Sequence, residues 1–208
     1  VPGRRRLDGE AWQITTAHFT ERFGLFVIIA LGESIILTGA TIAGLELTTT
    51  VVAALVAAFL GTAALWWLYF TSVAGLSERA LAEAPDRILL ARDTYTYGHA
   101  PIVAGIILSA VGNELVIAHP TEELSAAALV TVVAGPLLFL LAQAWLRLRI
   151  TRQLSPRRLG GAAACVLVGV VGLAVDALAV GSLLVLVLVG VAIADRIAGA
   201  RRAAAMAS

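Results

Sequence analysis

Phe23-Gly24-Leu25-Phe26-Val27-Ile28-Ile29-Ala30-Leu31-Gly32-Glu33-Ser34-Ile35-Ile36-Leu37-Thr38-Gly39-Ala40-Thr41-Ile42 is a twenty-residue run with one formal charge, Glu33. About 20 apolar residues in a row make a helix long enough to cross the hydrocarbon core of a bilayer. Five further apolar runs follow, at about 51–73, 98–116, 124–146, 161–178 and 179–194. The expected fold is therefore all-α: a polytopic transmembrane helix bundle of about six spans. Residues 1–22 read as a cytoplasmic N-terminal segment, 23–195 as the membrane domain and 196–208 as a cytoplasmic tail.

The segments between the runs alternate in charge. Arginines stand at 4, 5, 6 and 22, then at 79, 87 and 92, then at 147, 149, 152, 157 and 158, and finally at 196, 201 and 202. These are all fifteen cationic residues, since the chain has no lysine. The other connections carry Glu46, Glu122, Glu123 and Asp176 instead. Arginine marks the cytoplasmic side of membrane proteins. Both termini are thus expected in the cytoplasm, across a bacterial cytoplasmic (inner) membrane.

Composition agrees. Hydrophobic residues make up 60% of the chain and charged residues 14%, where a soluble domain carries about 25% charged residues. Mean hydropathy is +0.92. A net charge of +1 argues against a nucleic-acid footprint, and the basic loops suit anionic lipid. One cysteine, Cys165, lies inside an apolar run, so no intrachain disulfide forms and the thiol reads as a small core hydrophobe. The polar N-terminus predicts no cleavable signal peptide, and the start at Val1 suggests a fragment or trimmed chain.

The stretch from Gly161 to Ala194 is long enough for one helix, but Asp176 with Gly181-Ser182 breaks it. A hairpin of two short spans also keeps Arg196, Arg201 and Arg202 on the arginine-rich side. Ser77 and Pro85 predict helical structure in the 76–97 connection, running into the third span. Pro101 and Pro136 fall inside spans, where each removes a backbone donor and should kink the helix. Trp66, Trp67, Tyr69 and Trp145 sit late in spans that end at the cytoplasm and read as an interfacial aromatic belt.

Glu33 is the sharpest single signal. It lies ten residues past Phe23, about 15 Å deep at 1.5 Å per residue, near the middle of a core about 30 Å thick. A carboxylate there costs several kcal/mol unless protonated, paired or hydrated, and such acids mark ion and proton pathways. Ser34, Thr38 and Thr41 add a hydroxyl stripe. Glu33, Ser34 and Thr38 are the candidate ion or proton site; the plainer alternative is a protonated carboxyl that holds helices together.

A second group gathers at the expected cytoplasmic face: His18, Glu21 and Arg22 before the first span, Asp93, Tyr97 and His99 before the third. It suits a salt-bridged lock between helices or a proton relay. His18 and His99 are weak candidates for a metal site. At the outer end of the third span, Asn113 and Glu114 could form a gate or simply end the helix in water. Gly98, Gly105, Ser109 and Gly112 mark a close-packing face. No phosphate-binding glycine loop, zinc-protease motif or nucleophile elbow is present, so nothing points to an enzyme or a cofactor.

The stretch His18-Phe19-Thr20-Glu21-Arg22-Phe23-Gly24-Leu25-Phe26 with the downstream Leu31-Gly32-Glu33-Ser34 resembles the bacterial low temperature requirement protein A family, as do Arg92 to Pro101 and Glu114 to Pro120. The resemblance covers about residues 10–195. It implies a multi-pass membrane protein about twice this length, of which this chain is the C-terminal half. It carries over His18, Glu21, Arg22, Glu33, Asp93, Tyr97, His99 and Pro101 as motif positions of unassigned role.

The expected function is ion- or proton-linked, or small-solute, transport that uses a membrane-embedded carboxyl. The alternatives are a non-transporting scaffold or stress-adaptation protein, and a membrane-embedded metal-dependent enzyme. Expected partners are the lipid bilayer, the missing N-terminal half and a second copy in a homo-oligomer; no nucleic acid is expected.

Overall fold

A computed structural model describes the backbone of residues 9–71 and 98–207, with side chains from Arg22 onward within those segments, apart from a few in the last ten residues. The connection 72–97 lies outside the described residues, and with it the helix expected there. Six helices are described: α1 Gly9–Ile42, α2 Thr49–Tyr69, α3 Gly98–Ala118, α4 Ala126–Thr151, α5 Pro156–Val171 and α6 Ala177–Ala207. No strand occurs among the described residues. The protein is an all-α polytopic helix bundle.

Five of the helices are long and apolar enough to cross a membrane: α1 from Arg22, α2, α3, α4, and α6 to Arg201. The last two apolar runs do form a hairpin, but its break comes earlier than the expected 178/179. Here α5 has 16 residues, about 24 Å at 1.5 Å per residue, short of a full crossing. The turn occupies 172–176 because Asp176 caps α6, its Oδ1 accepting from the Ala179 amide at 2.8 Å. Helix α1 begins at Gly9 and α6 runs to Ala207, so the expected terminal segments are largely helical extensions of the first and last spans.

The other helix starts are also chemically specified. The Thr48 hydroxyl accepts from the Val51 amide at 3.3 Å, and Ser125 accepts from the Ala128 amide at 3.3 Å. Each satisfies an amide that the first turn would otherwise leave open. Pro156 occupies the first turn of α5, where its missing amide costs nothing. Pro101 and Pro136 lie within α3 and α4, and both helices continue through them.

Helices α3 and α4 form the tightest pair, as the small-residue face predicted. A Cβ built on Gly105 would stand 2.7 Å from the Phe139 amide nitrogen, and one on Gly135 would stand 2.5 Å from that of Ser109. These glycines let two backbones nearly touch. Helix α5 packs antiparallel on α4, with Gly172 against Leu129 at one end and Gly161 against Leu140 near the other. Helix α6 closes onto α2 and α5, and α1 leans on α3 from outside. Only 17% of the α1 span is buried, against 50% for α2, α3 and α4, which makes α1 the peripheral helix.

The α3–α4 connection shares one end of the bundle with the α5–α6 turn. The amides of Ala177 and Leu178 donate to the carbonyls of Glu122 and Pro120, each at 2.9 Å. Glu123 and Asp176 pair as an isolated bridge. The opposite end holds the α4–α5 connection and the arginines from 147 to 158, so the charge alternation in the sequence becomes a charge difference between two ends.

Candidate functional site

Glu33 stands in a groove on the outer surface of the bundle. The groove measures about 250 Å³ and is walled by α1 and α3 residues, among them Phe26, Ile29, Val103, Ile107 and Val111. Almost all of this lining is apolar. Glu33 is exposed and makes no hydrogen bond or ion pair with the described residues. Of the hydroxyl stripe, Ser34 lines the same groove. Ser34 is buried, and Ser34, Thr38 and Thr41 each donate to a carbonyl of their own helix, those of Ala30, Ser34 and Leu37, at 2.9, 2.8 and 3.0 Å. Such back-bonding satisfies a hydroxyl in an apolar setting without another helix. Ser34 thus lines the groove beside Glu33, whereas Thr38 and Thr41 are not among its walls.

The expected cytoplasmic-face cluster is described in part. His18 and Glu21 lie on α1, but their side chains are outside the described residues, as are Asp93 and Tyr97 entirely. Arg22 is exposed. His99 is 2% exposed, at the start of α3, with its ring 5.1 Å from that of Phe23 on α1. Its Nε2 is 2.9 Å from the Tyr69 hydroxyl on α2. This corrects the reading of Tyr69 as a belt residue: Tyr69 is 2% exposed and ties α2 to α3. A phenol needs a polar partner when buried, and an imidazole nitrogen is one. Trp66 and Trp67, by contrast, point outward as belt residues do. No group of three or more metal-ligating side chains occurs among the described residues.

At the far end, Glu114 is half-buried and His119 pairs with Glu122 through Nδ1 at 3.2 Å, both exposed. Asn113 faces inward. It lines a small cavity between α2, α3, α4 and α6.

One polar cluster escaped the sequence reading. Arg158, at the start of α5, is 2% exposed. Its Nε donates to Gln143 Oε1 on α4 at 2.8 Å, and its Nη1 lies 3.3 Å from Ser155 Oγ and 3.0 Å from Asp195 Oδ2 on α6. Arg157 grips the other oxygen of Asp195 at 2.6 Å. Burial pushes the Arg158 pKa down from its ordinary value, with Asp195 pulling it back up; a guanidinium stays charged through such shifts. Gln143 Nε2 is buried and makes no hydrogen bond with the described residues. The signal that could have found this cluster is Gln143 itself, an uncharged amide inside the apolar run 124–146.

Comparison with known proteins places the chain. The family profile described as "Bacterial low temperature requirement A protein (LtrA)" matches residues 1–193. An uncharacterized protein of Rhizobium meliloti (strain 1021) is 38% identical over 151 residues, which is 71% of this chain and 36% of that protein. The chain thus spans little more than a third of the length of the curated relative it matches. No solved structure matches. The chain belongs to the bacterial low temperature requirement A protein family, and it is a multi-pass membrane protein.

Proposed function

We propose that this chain is the carboxyl-bearing portion of a longer transporter that moves an ion, a proton or a small solute, with Glu33 as the group that takes up and releases charge. One observation carries the proposal. Glu33 is an acid at mid-depth of a membrane helix that stands in an accessible apolar groove, unpaired among the described residues. Carboxyls at membrane depth are costly to hold there, and they mark ion and proton pathways. Both ends of this chain face the cytoplasm of a bacterial cell in this reading, and the transporter acts without enzymatic chemistry and works beside the bilayer, an N-terminal half and a second copy of the chain.

A second reading has its own support. The hydroxyls of Ser34, Thr38 and Thr41 each commit their proton to a carbonyl of their own helix, so none of them donates to Glu33. That favours a non-transporting scaffold, in which a neutral Glu33 only joins helices. A metal-dependent membrane enzyme needs the side chains of His18 and Asp93 beside His99 and stands third.

Replacing Glu33 by Gln separates the first two. Gln keeps size and hydrogen bonding but cannot ionise. Complementation of a deletion strain with the full-length protein, scored beside its abundance in the membrane, reads the difference. The transporter reading expects normal abundance and lost complementation. Full complementation by Glu33→Gln at normal abundance supports the scaffold instead.

A further inference from the structure

We infer that the bundle interior holds one ordered water molecule at the crossing of α2, α3, α4 and α6, anchored by Asn113, Ser109 and the Val132 carbonyl. The cavity there measures about 30 Å³, and one water needs roughly 10–15 Å³ with two to four polar partners. Three partners line it. Asn113 brings an amide with two donors and an acceptor, and it makes no hydrogen bond with the described residues. Ser109 donates its own proton to the Gly105 carbonyl at 2.8 Å, which leaves its oxygen as an acceptor. Val132 lies four residues before Pro136, whose ring nitrogen has no hydrogen to offer its carbonyl. That carbonyl oxygen lies 3.6 Å from where a Cβ on Gly112 would stand, so it faces α3 at the cavity wall.

The room exists because the wall is glycine on three helices: Gly61, Gly112 and Gly181. The lining includes no charged side chain. A dehydrated cation would sit there without a counter-charge, whereas a water meets both the donors and the acceptors. The water thus stands beside the carbonyl to which Pro136 offers no amide, and it meets the Asn113 side chain, which makes no hydrogen bond with the described residues.

The test is a structure of the full-length protein at a resolution that shows ordered solvent, with two variants. The wild type should show one peak within hydrogen-bond distance of Ser109 Oγ, the Asn113 amide and the Val132 carbonyl. Gly61→Ala should lose it, because the added methyl enters the wall 3.4 Å from Val185 Cγ2, an ordinary contact that leaves the fold intact. Asn113→Leu should lose it as well. Melting of the wild type in sodium chloride and in choline chloride should agree. A dry cavity in the wild type, a peak that survives Gly61→Ala, or a melting temperature raised by sodium overturns the inference.

Discussion

Arg158 and Gln143 meet across the α4–α5 interface, Nε donating to Oε1 at 2.8 Å with both side chains buried. The same guanidinium faces Asp195 of α6, so one side chain holds three helices. Buried ion pairs of this kind are costly to break from one side, because the partner is left charged and unsolvated. Arg158→Leu should destabilise the protein by about 3–5 kcal/mol. Arg157→Ala, at a position 29% exposed, should cost about 1 kcal/mol or less. Adding Asp195→Leu to Arg158→Leu should recover part of the loss, read by unfolding in a graded detergent series. Equal effects of the two arginine substitutions would contradict the buried network.

Gly135 and Gly190 offer a contrast between two glycines of membrane helices. A Cβ on Gly135 would collide with the Ser109 backbone at 2.5 Å, whereas one on Gly190 meets nothing within 4 Å. Gly135→Ala should force α3 and α4 apart and lower the melting temperature by several degrees, a loss of about 1–3 kcal/mol. Gly190→Ala should be neutral or stabilising by up to about 1 kcal/mol, since alanine is the better helix former. Thermal aggregation of the purified protein in one detergent measures both.

Tyr69→Phe removes the hydroxyl that stands 2.9 Å from His99 Nε2 and leaves the ring packing intact. The loss should be about 0.5–1.5 kcal/mol, the net worth of one intramolecular hydrogen bond. A second expectation is increased accessibility of His99, which solvent reaches only when α2 and α3 part. Diethyl pyrocarbonate labelling followed by mass spectrometry reads it. Unchanged labelling with unchanged stability would make the Tyr69–His99 contact incidental.

Reporter fusions address orientation. Fusions after residues 47 and 121 should report the outside and fusions after 153 and 204 the cytoplasm, because the arginines gather at the second pair. A cytoplasmic reading at 121 would invert the bundle.

Most of the helical architecture was legible in the chain because the bilayer demands length and apolarity, two properties that local sequence displays. The α3–α4 seam was legible too, since Gly98, Gly105, Ser109 and Gly112 repeat at helical spacing. The hairpin break was found but misplaced: Asp176 reads as an interruption, yet its carboxylate acts as a cap, so the turn precedes it. Tyr69 was misread because a tyrosine late in a span looks like an interfacial anchor; its partner His99 lies 30 residues on, on another helix. Arg158 looked like a loop charge for the same reason, and Asp195 was not singled out. Ion pairs between helices depend on how the helices rotate, and one-dimensional periodicity does not state that rotation. Glu33 was located by depth, but the side of α1 it occupies emerged only from packing.

The bonds from Ala177 and Leu178 back to Glu122 and Pro120 also bear on biosynthesis. A chain made from its N-terminus delivers the α3–α4 hairpin to the bilayer before α6 leaves the ribosome. The acceptors for the first turn of α6 are therefore already in place when that turn emerges. The last hairpin can dock by zippering onto a finished edge instead of searching the bilayer for it. Ribosome pausing or truncation between residues 125 and 176 would leave the Glu122 and Pro120 carbonyls without those two donors, a half-built state that quality-control proteases could recognise.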